Sequence, residues 1–371
     1  MKLTTFLCLI ILSLTVSCIH QTHQGRSKLH FENLGRPLRS KPVHIEWVTT
    51  GMNDHYWAWG VVEGPAQQQV IGADTTTGET HSINLMPYGK THIRMTRAAN
   101  GDLYLYSGSP GHFFRFDTSK MELIDLGVPA DPAHYWLGDT VGPDGRFYVG
   151  THPAPTLVSV DPSTDRIKNH GRLTGDPRQK YLLYPQVSDN NIVYCPAGLH
   201  HMELWALDPD TGRKCQILPD PFNKLQGHPT IWTGTDGRVY GRIQDTDFLC
   251  KPDGIETGKT RERRSAGRDI RAGNWKAREF EPDGKLVLEH HKTGETKRVQ
   301  TGFEGEHVMI HSVCCEYEGI IYGGGFKPSN LFSANPLTGK LKDLGRVCEG
   351  KIQIYDILGH PKGLFISSYM D

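Results

Sequence analysis

"LWALDPDTG", Leu204–Gly212, is a short apolar segment that runs straight into a turn made of Asp, Pro, Thr and Gly. A strand sends alternate side chains to opposite faces, so Leu204 and Ala206 share one face while Trp205 and Leu207 share the other. The turn has a local cause: an Asp carboxylate accepts hydrogen bonds from amides just ahead of it, and Thr does the same more weakly. The stretch is echoed by "DTTTGE" from Asp74, "DTSKME" from Asp117, "DPSTDR" from Asp161, "HKTGET" from His291 and "NPLTGK" from Asn335. The echoes advance by 43, 44, 47, 83 and 44 residues, so one interval spans two periods, with a degraded or inserted repeat inside it.

A second turn family precedes the first, in "ANGDLYLY", "PDGRFYVG", "DNNIVYC", "TDGRVYG", "YEGIIYG" and "PKGLFIS". Short β segments joined by such turns at a period in the forties imply an all-β chain, a β-propeller of four-stranded antiparallel blades. The count is seven blades, or eight if Thr230–Gly254 and Arg278–Val299 form separate blades. The last blade is incomplete: "KIQIYDILG" and "GLFISSYM" leave it two strands short, and "VHIEWVTT" (Val43–Thr50) is the candidate to fill one gap by ring closure.

The 371 residues carry 41 Lys plus Arg against 41 Asp plus Glu, a balance that argues against nucleic acid as a partner. The start, "MKLTTFLCLIILSLTVSCIH", has a lysine ahead of an apolar run too short to span a bilayer and shaped like a secretory signal. Residues 1–18 are read as a signal peptide, with Ser17-Cys18 as a candidate lipoprotein box and lipid anchor, the alternative being plain cleavage. Residues 19–43 are then a linker and 44–371 one propeller domain with an insertion near 251–280. The protein is expected to be secreted, as a periplasmic or cell-surface lipoprotein of a bacterium, with no transmembrane span. The six cysteines beyond Cys18 contain no C-x-x-C pair, and most are read as free buried thiols.

In an antiparallel meander the turn after the first strand and the turn after the third lie on one face. The loop after the second strand and the connection to the next blade lie on the other. The regular turns therefore occupy one face, and irregular loops suited to binding occupy its opposite. That second face collects His92, His112, His152, His200, His201, His228, His307 and Lys327, with Tyr135 in one connection and Arg172 and Arg178 in the next. Taken singly, each such histidine is an ordinary surface residue; it is their concentration that marks the face. Of the adjacent pair, His201 is the secondary binding candidate and His200 is read as structural. The basic run Lys259–Arg278 is read as a solvated insertion rather than a polyanion grip.

His, Tyr and Arg without flanking carboxylate pairs suit proton abstraction beside a uronate carboxylate. That reaction needs a base, an acid for the leaving oxygen, and a cation for the charge that develops. The acid pair of a standard glycosidase is not visible, nor is G-x-S-x-G or a Walker or Rossmann glycine pattern.

The segments "NDHYWAWGVVEG", "HIRMTRAANGDLYLYSGSPGHFFRFD", "YWLGDTVGPDGRFYVGTHPAPTLVSVDP" and "IYDILGHPKGLFISSYMD" resemble polysaccharide lyase family 42, formerly glycoside hydrolase family 145, from about residue 44 to the end. The resemblance implies a seven-bladed enzyme that removes L-rhamnose from D-glucuronate at arabinogalactan side-chain ends by β-elimination. It implies His92 and His112 as the paired catalytic histidines, with His152 a third catalytic candidate at the position where the family pattern has an aromatic hydroxyl. Arg178 or Arg172 would hold the uronate, with Tyr135, His201, His228 and Lys327 as further binding residues. It also implies calcium as a cofactor, although no compact run of acidic ligands places it, and the metal ligands stay unknown. Two alternatives stand beside this one: an α-L-rhamnosidase working from the opposite face through His44, and a non-catalytic propeller that binds a glycan or a protein.

Overall fold

The structure, a computed structural model, describes residues 38, 40–64, 67–89, 92–107, 111–130, 133–265, 267–306, 308–326, 329–347 and 353–369. Two compact units are present, one spanning 39–309 and one holding 310–371. Apart from three short 3-10 turns the described elements are β-strands, and no described helix is long and apolar enough to cross a membrane.

The larger unit is a succession of antiparallel meanders. Sheet I comprises β1–β4 (Val43–Thr50, Tyr56–Gly64, Gln67–Asp74, Thr80–Asn84), and sheet II β5–β8 (Arg94–Arg97, Leu103–Ser107, His112–Asp117, Glu122–Gly127). Sheet III comprises β9–β12 (Ala133–Val141, Phe147–Pro153, Thr156–Asp161, Arg166–Arg172). In sheet IV the first strand is split into β13 and β14 (Tyr181–Leu182, Gln186–Val187), followed by β15–β17 (Val193–Gly198, Glu203–Leu207, Lys214–Gln216). Sheet V is β18–β21 (Thr230–Thr233, Val239–Ile243, Thr246–Lys251, Gly254–Thr257), and sheet VI is β22–β25 (Arg271–Ala272, Trp275–Phe280, Lys285–His290, Thr296–Gln300). The two segments whose separation would raise the blade count are therefore distinct sheets, V and VI. Part of the expected insertion near 251–280 is itself strand, in β21, β22 and β23.

Neighbouring sheets pack face to face through apolar clusters, as propeller blades do. Ile71 and Val48 of sheet I meet Phe280 and Leu288 of sheet VI, whereas Trp57 and Trp59 meet Leu105 and Phe116 of sheet II. Tyr106 and Phe113 of sheet II pack on Trp136 and Val149 of sheet III; Tyr148 and Leu157 pack on Val193 and Cys195 of sheet IV. Leu204 and Ala206, from the stretch quoted first, close on Phe248 and Val239 of sheet V. Backbones come close where sheets III, IV and V meet. A Cβ on Gly150 would lie 2.2 Å from the Leu182 carbonyl oxygen, and one on Gly198 2.1 Å from that of Gly227, so only glycine fits.

Ring closure by Val43–Thr50 is corrected. β1 pairs with β2 from Ile45 to Thr50 and with β23 through Val43 and His44, joining sheets I and VI into one continuous eight-stranded sheet. Both edges of β1 are thereby used inside the larger unit. In the smaller unit β26–β29 (Met309–Tyr317, Ile320–Phe326, Asn330–Ala334, Leu341–Arg346) form a meander. The hairpin β30–β31 (Gln353–His360, Gly363–Tyr369) joins it through Gln353 opposite Phe326, around Cys314, Leu331, Ile354 and Ile357.

The turn chemistry read from sequence is present atom by atom. Asp74 Oδ1 accepts the amides of Thr76 and Thr77 at 2.7 and 3.1 Å, Asp117 those of Ser119 and Lys120 at 3.0 and 3.1 Å, and Asp208 those of Asp210 and Thr211 at 3.0 and 3.2 Å. Asn335 repeats the pattern with Leu337 and Thr338. In the "HKTGET" copy the accepting residue is His290, whose Nδ1 takes the Thr293 amide at 3.3 Å, one residue earlier than the sequence alignment placed it. Substituting Asp208→Ala removes two such bonds and should lower the midpoint of denaturant unfolding. Asp210→Ala loses only an exposed ion pair with Arg146 and should move that midpoint less.

The division into two faces also holds. Thr118 Oγ1 reaches the Gly101 carbonyl at 3.4 Å, and Arg146 reaches Asp210 at 2.7 Å, so regular turns meet regular turns. On the other face Leu199, after β15, bridges Gly227 in the connection to sheet V.

Candidate functional site

Only one edge of an inner strand is hydrogen-bonded within its own meander, and residues of the inner strands of sheets I to V line a common cavity of ≈ 670 Å³. Trp47 comes from β1, Met95 and Thr96 from β5, and Asp139, Thr140 and Val141 from β9. Tyr184 and Gln186 come from the split inner strand of sheet IV, and Thr230–Thr233 from β18. Trp47 is fixed across sheets: its Nε1 donates to the Met95 carbonyl at 3.0 Å, and the Arg97 guanidinium lies 5.8 Å from its ring centroid.

The basic run corrects its sequence reading. Its main chain is laid along β18: the Arg264 amide donates to the Thr233 carbonyl at 2.8 Å, the Thr235 amide to the Glu262 carbonyl at 2.9 Å, and Arg263 bridges Gly234. Trp232 Nε1 clamps the segment by donating to the Arg261 carbonyl at 2.8 Å. The side chains are still solvated, but Arg263, Arg264 and Arg268 now belong to the cavity wall. Arg264 forks onto Asp189 at 2.9 and 2.8 Å, and Arg268 pairs with Glu46 of β1. Arg263 pairs with no carboxylate among the described residues.

Asp139 is the one acid in the described lining. Burial pushes its carboxyl above the usual range, while Tyr106, Thr96 and Arg94 act in the opposite direction without cancelling the rise. The Tyr106 phenol behind it is itself pushed well up, by burial first and by the Asp139 charge second. A carboxyl raised in the folded state keeps its proton longer there than in the unfolded chain, so folding stability falls as pH rises from the ordinary carboxylate range through the folded pKa. Asp139→Asn should abolish that loss. Its melting temperature relative to the parent should be higher at about pH 7 than at about pH 4; an equal difference at both would contradict the assignment.

Of the residues picked out from sequence, His228 lines this cavity, exposed, with Nδ1 3.3 Å from the Pro229 oxygen. His92, His112, His152 and Arg178 do not converge on it. His92 Nδ1 lies 3.2 Å from Glu63. Burial pushes the Glu63 carboxyl up, but His92 and the Ile93 amide outweigh it and leave the group below its usual range. His112 Nδ1 is 3.4 Å from Asp125, with its ring 5.0 Å from that of Tyr88. The His152 ring sits 4.4 Å from that of Tyr181.

Three others gather around one loop. The Arg172 guanidinium donates to the carbonyls of Thr174, Asp176 and Gln179, Arg178 forks onto the Asp176 carboxylate, and His201 lies 2.9 Å from Glu203 and 3.7 Å from Asp176. Arg172 therefore closes the loop with the groups expected to grip a uronate. The His200 amide donates to Gln179, in keeping with a structural reading. His44, the opposite-face candidate, is largely exposed, 3.6 Å from Glu279. The backbone of Tyr135 faces His152 in β9, but its side chain lies outside the described residues, as do Lys327, His307, Cys18 and all of residues 1–18. The implied calcium finds no fit: no group of three His, Cys, Asp or Glu side chains is gathered for a metal among the described residues.

Sequence reasoning missed Trp47, Asp139 and Trp232, and it read the run that holds the three arginines as a solvated insertion. For two of these a signal was at hand, because Asp139 and Trp232 sit just ahead of turns of the second family. The arginines had none, since nothing local says that their segment returns to β18.

No family model and no curated protein matches this chain. Among solved structures it is similar to a streptogramin B lyase, at 12% identity over 88% of this chain and 90% of that one, with a TM-score of 0.41. It is similar also to Saccharomyces cerevisiae Sqt1, at 7% identity over 86% and 89% with a TM-score of 0.42, and to the Dos1 propeller, at 11% over 90% and 91% with a TM-score of 0.39. At such identities and scores none of these bears on an individual residue, and the chain is described by what its own strands form: an all-β protein of four-stranded antiparallel sheets of propeller type.

Proposed function

We propose that the larger unit holds a uronate-bearing saccharide in the cavity between its inner strands. The observation that carries this reading is Arg263, a guanidinium with no carboxylate of its own among the described residues, in the lining of the same cavity as Trp47, Tyr184 and Trp232. A sugar ring stacks on aromatic faces, and its carboxylate takes the planar fork of an arginine. Arg264 and Arg268, already paired, hold the segment in place. The volume suits a ligand of one or two sugar rings.

The chemistry proposed for such a ligand is β-elimination, cleaving L-rhamnose from D-glucuronate in an exported carbohydrate-active enzyme. In this cavity His228 would be the base that takes the C5 proton beside the carboxylate and Arg263 the cation that steadies the charge left behind; the C4–C5 double bond forms as the C4–O bond to rhamnose breaks, and the leaving oxygen takes a proton from water. The second reading is a propeller that binds the same saccharide without cleaving it. It is favoured by His92, His112 and His152 each lying with a different partner away from the cavity.

Titration with rhamnosyl-α-1,4-glucuronate, followed by calorimetry and ultraviolet absorbance, tests both. Binding that Arg263→Ala weakens by about 1.5–3 kcal/mol supports the site, and binding unchanged in that variant removes it. Growth of the absorbance of an unsaturated uronate, lost in His228→Ala, supports the lyase; binding without product leaves the second reading.

A further inference from the structure

The cavity is chemically lopsided. Of its cations, Arg263 and Arg264 arrive on the segment laid against β18 and Arg268 farther along the same run beside Glu46 of β1, whereas its one described acid, Asp139, stands on β9 of sheet III. The charged and titratable groups that act on Asp139 most are Tyr106 of β6 and Arg94 of β5, with the hydroxyl of Thr96. A ligand carboxylate set against Asp139 would meet a like charge in a partly desolvated place, so the acid end of the ligand belongs with Arg263. What remains for Asp139 is the opposite end of a sugar ring. A carboxylate presents two acceptor oxygens side by side, which matches two neighbouring hydroxyl donors.

We propose that Asp139 receives the ring hydroxyls of the ligand, and that the ligand is a pyranuronate with two adjacent free hydroxyls across the ring from its carboxylate. This rests on the cavity being a uronate site, and it adds orientation and selectivity. The carboxylate points to the basic segment and the diol to sheet III. A uronate substituted on those hydroxyls is excluded, because its ethers bring no donor to a half-buried acceptor that has given up water.

The test sets two ligands against two proteins. Methyl glucuronide and its 2,3-di-O-methyl ether are titrated into the parent and into Asp139→Asn, after circular dichroism and melting have shown the variant folded. The parent should bind the ether about tenfold more weakly than the glycoside, and Asp139→Asn should bind the glycoside about tenfold more weakly with little further loss for the ether. Equal affinity of the parent for both ligands overturns the proposal without reference to any variant. So does a methylation penalty that persists undiminished in Asp139→Asn. Absence of glycoside binding to the parent, or binding indifferent to Arg263→Ala, instead brings down the uronate reading and this inference with it.

Discussion

An inner strand of a meander sheet has two hydrogen-bonding edges and only one neighbour in its own sheet, and the larger unit is organised by what happens at the edge left over. At β1 that edge is met by β23, which turns sheets I and VI into one. At β18 it is met by the segment through Arg263, a stretch without regular strand structure of its own. Elsewhere the inner strands leave their edges toward the cavity. Backbone satisfaction, which is obligatory for buried amides and carbonyls, thus positions the basic segment, and the segment's arginines are carried onto the wall with it.

The electrostatics of the cavity follow from that placement. Two arginines are held by carboxylates from other sheets, Asp189 beside sheet IV and Glu46 in β1, so the segment is tied at its flanks while Arg263 stays available. Asp139 is disfavoured as an anion by its surroundings, a local cost of the kind that binding sites keep and scaffolds remove. The loop at Asp176 shows the converse. There Arg172, Arg178 and His201 are all engaged within the protein, and three residues that looked like ligand contacts in sequence are the fastening of a connection.

Much of the scaffold was legible because its causes are local. A carboxylate two or three residues ahead of the amides it accepts, as at Asp74, Asp117 and Asp208, recurs wherever the same short pattern recurs, and the two faces follow from meander topology alone. His290 shows the limit of such reading, since an imidazole takes the acceptor role one residue before the position that spacing suggested. The histidines were another limit. Topology assigned them to one face, but sharing a face does not bring side chains to one point.

By itself the sequence determined the strand class, the repeated turns and the sidedness of the sheets, because each depends on side chains bonding within a few residues of themselves. Only the tertiary structure decided that β1 would join two sheets, that the basic run would return to β18, and that Asp139, Trp47 and Arg263 would face one cavity. Those outcomes depend on which strand edges remain unpaired once the sheets have packed, and nothing within reach of a single repeat records that.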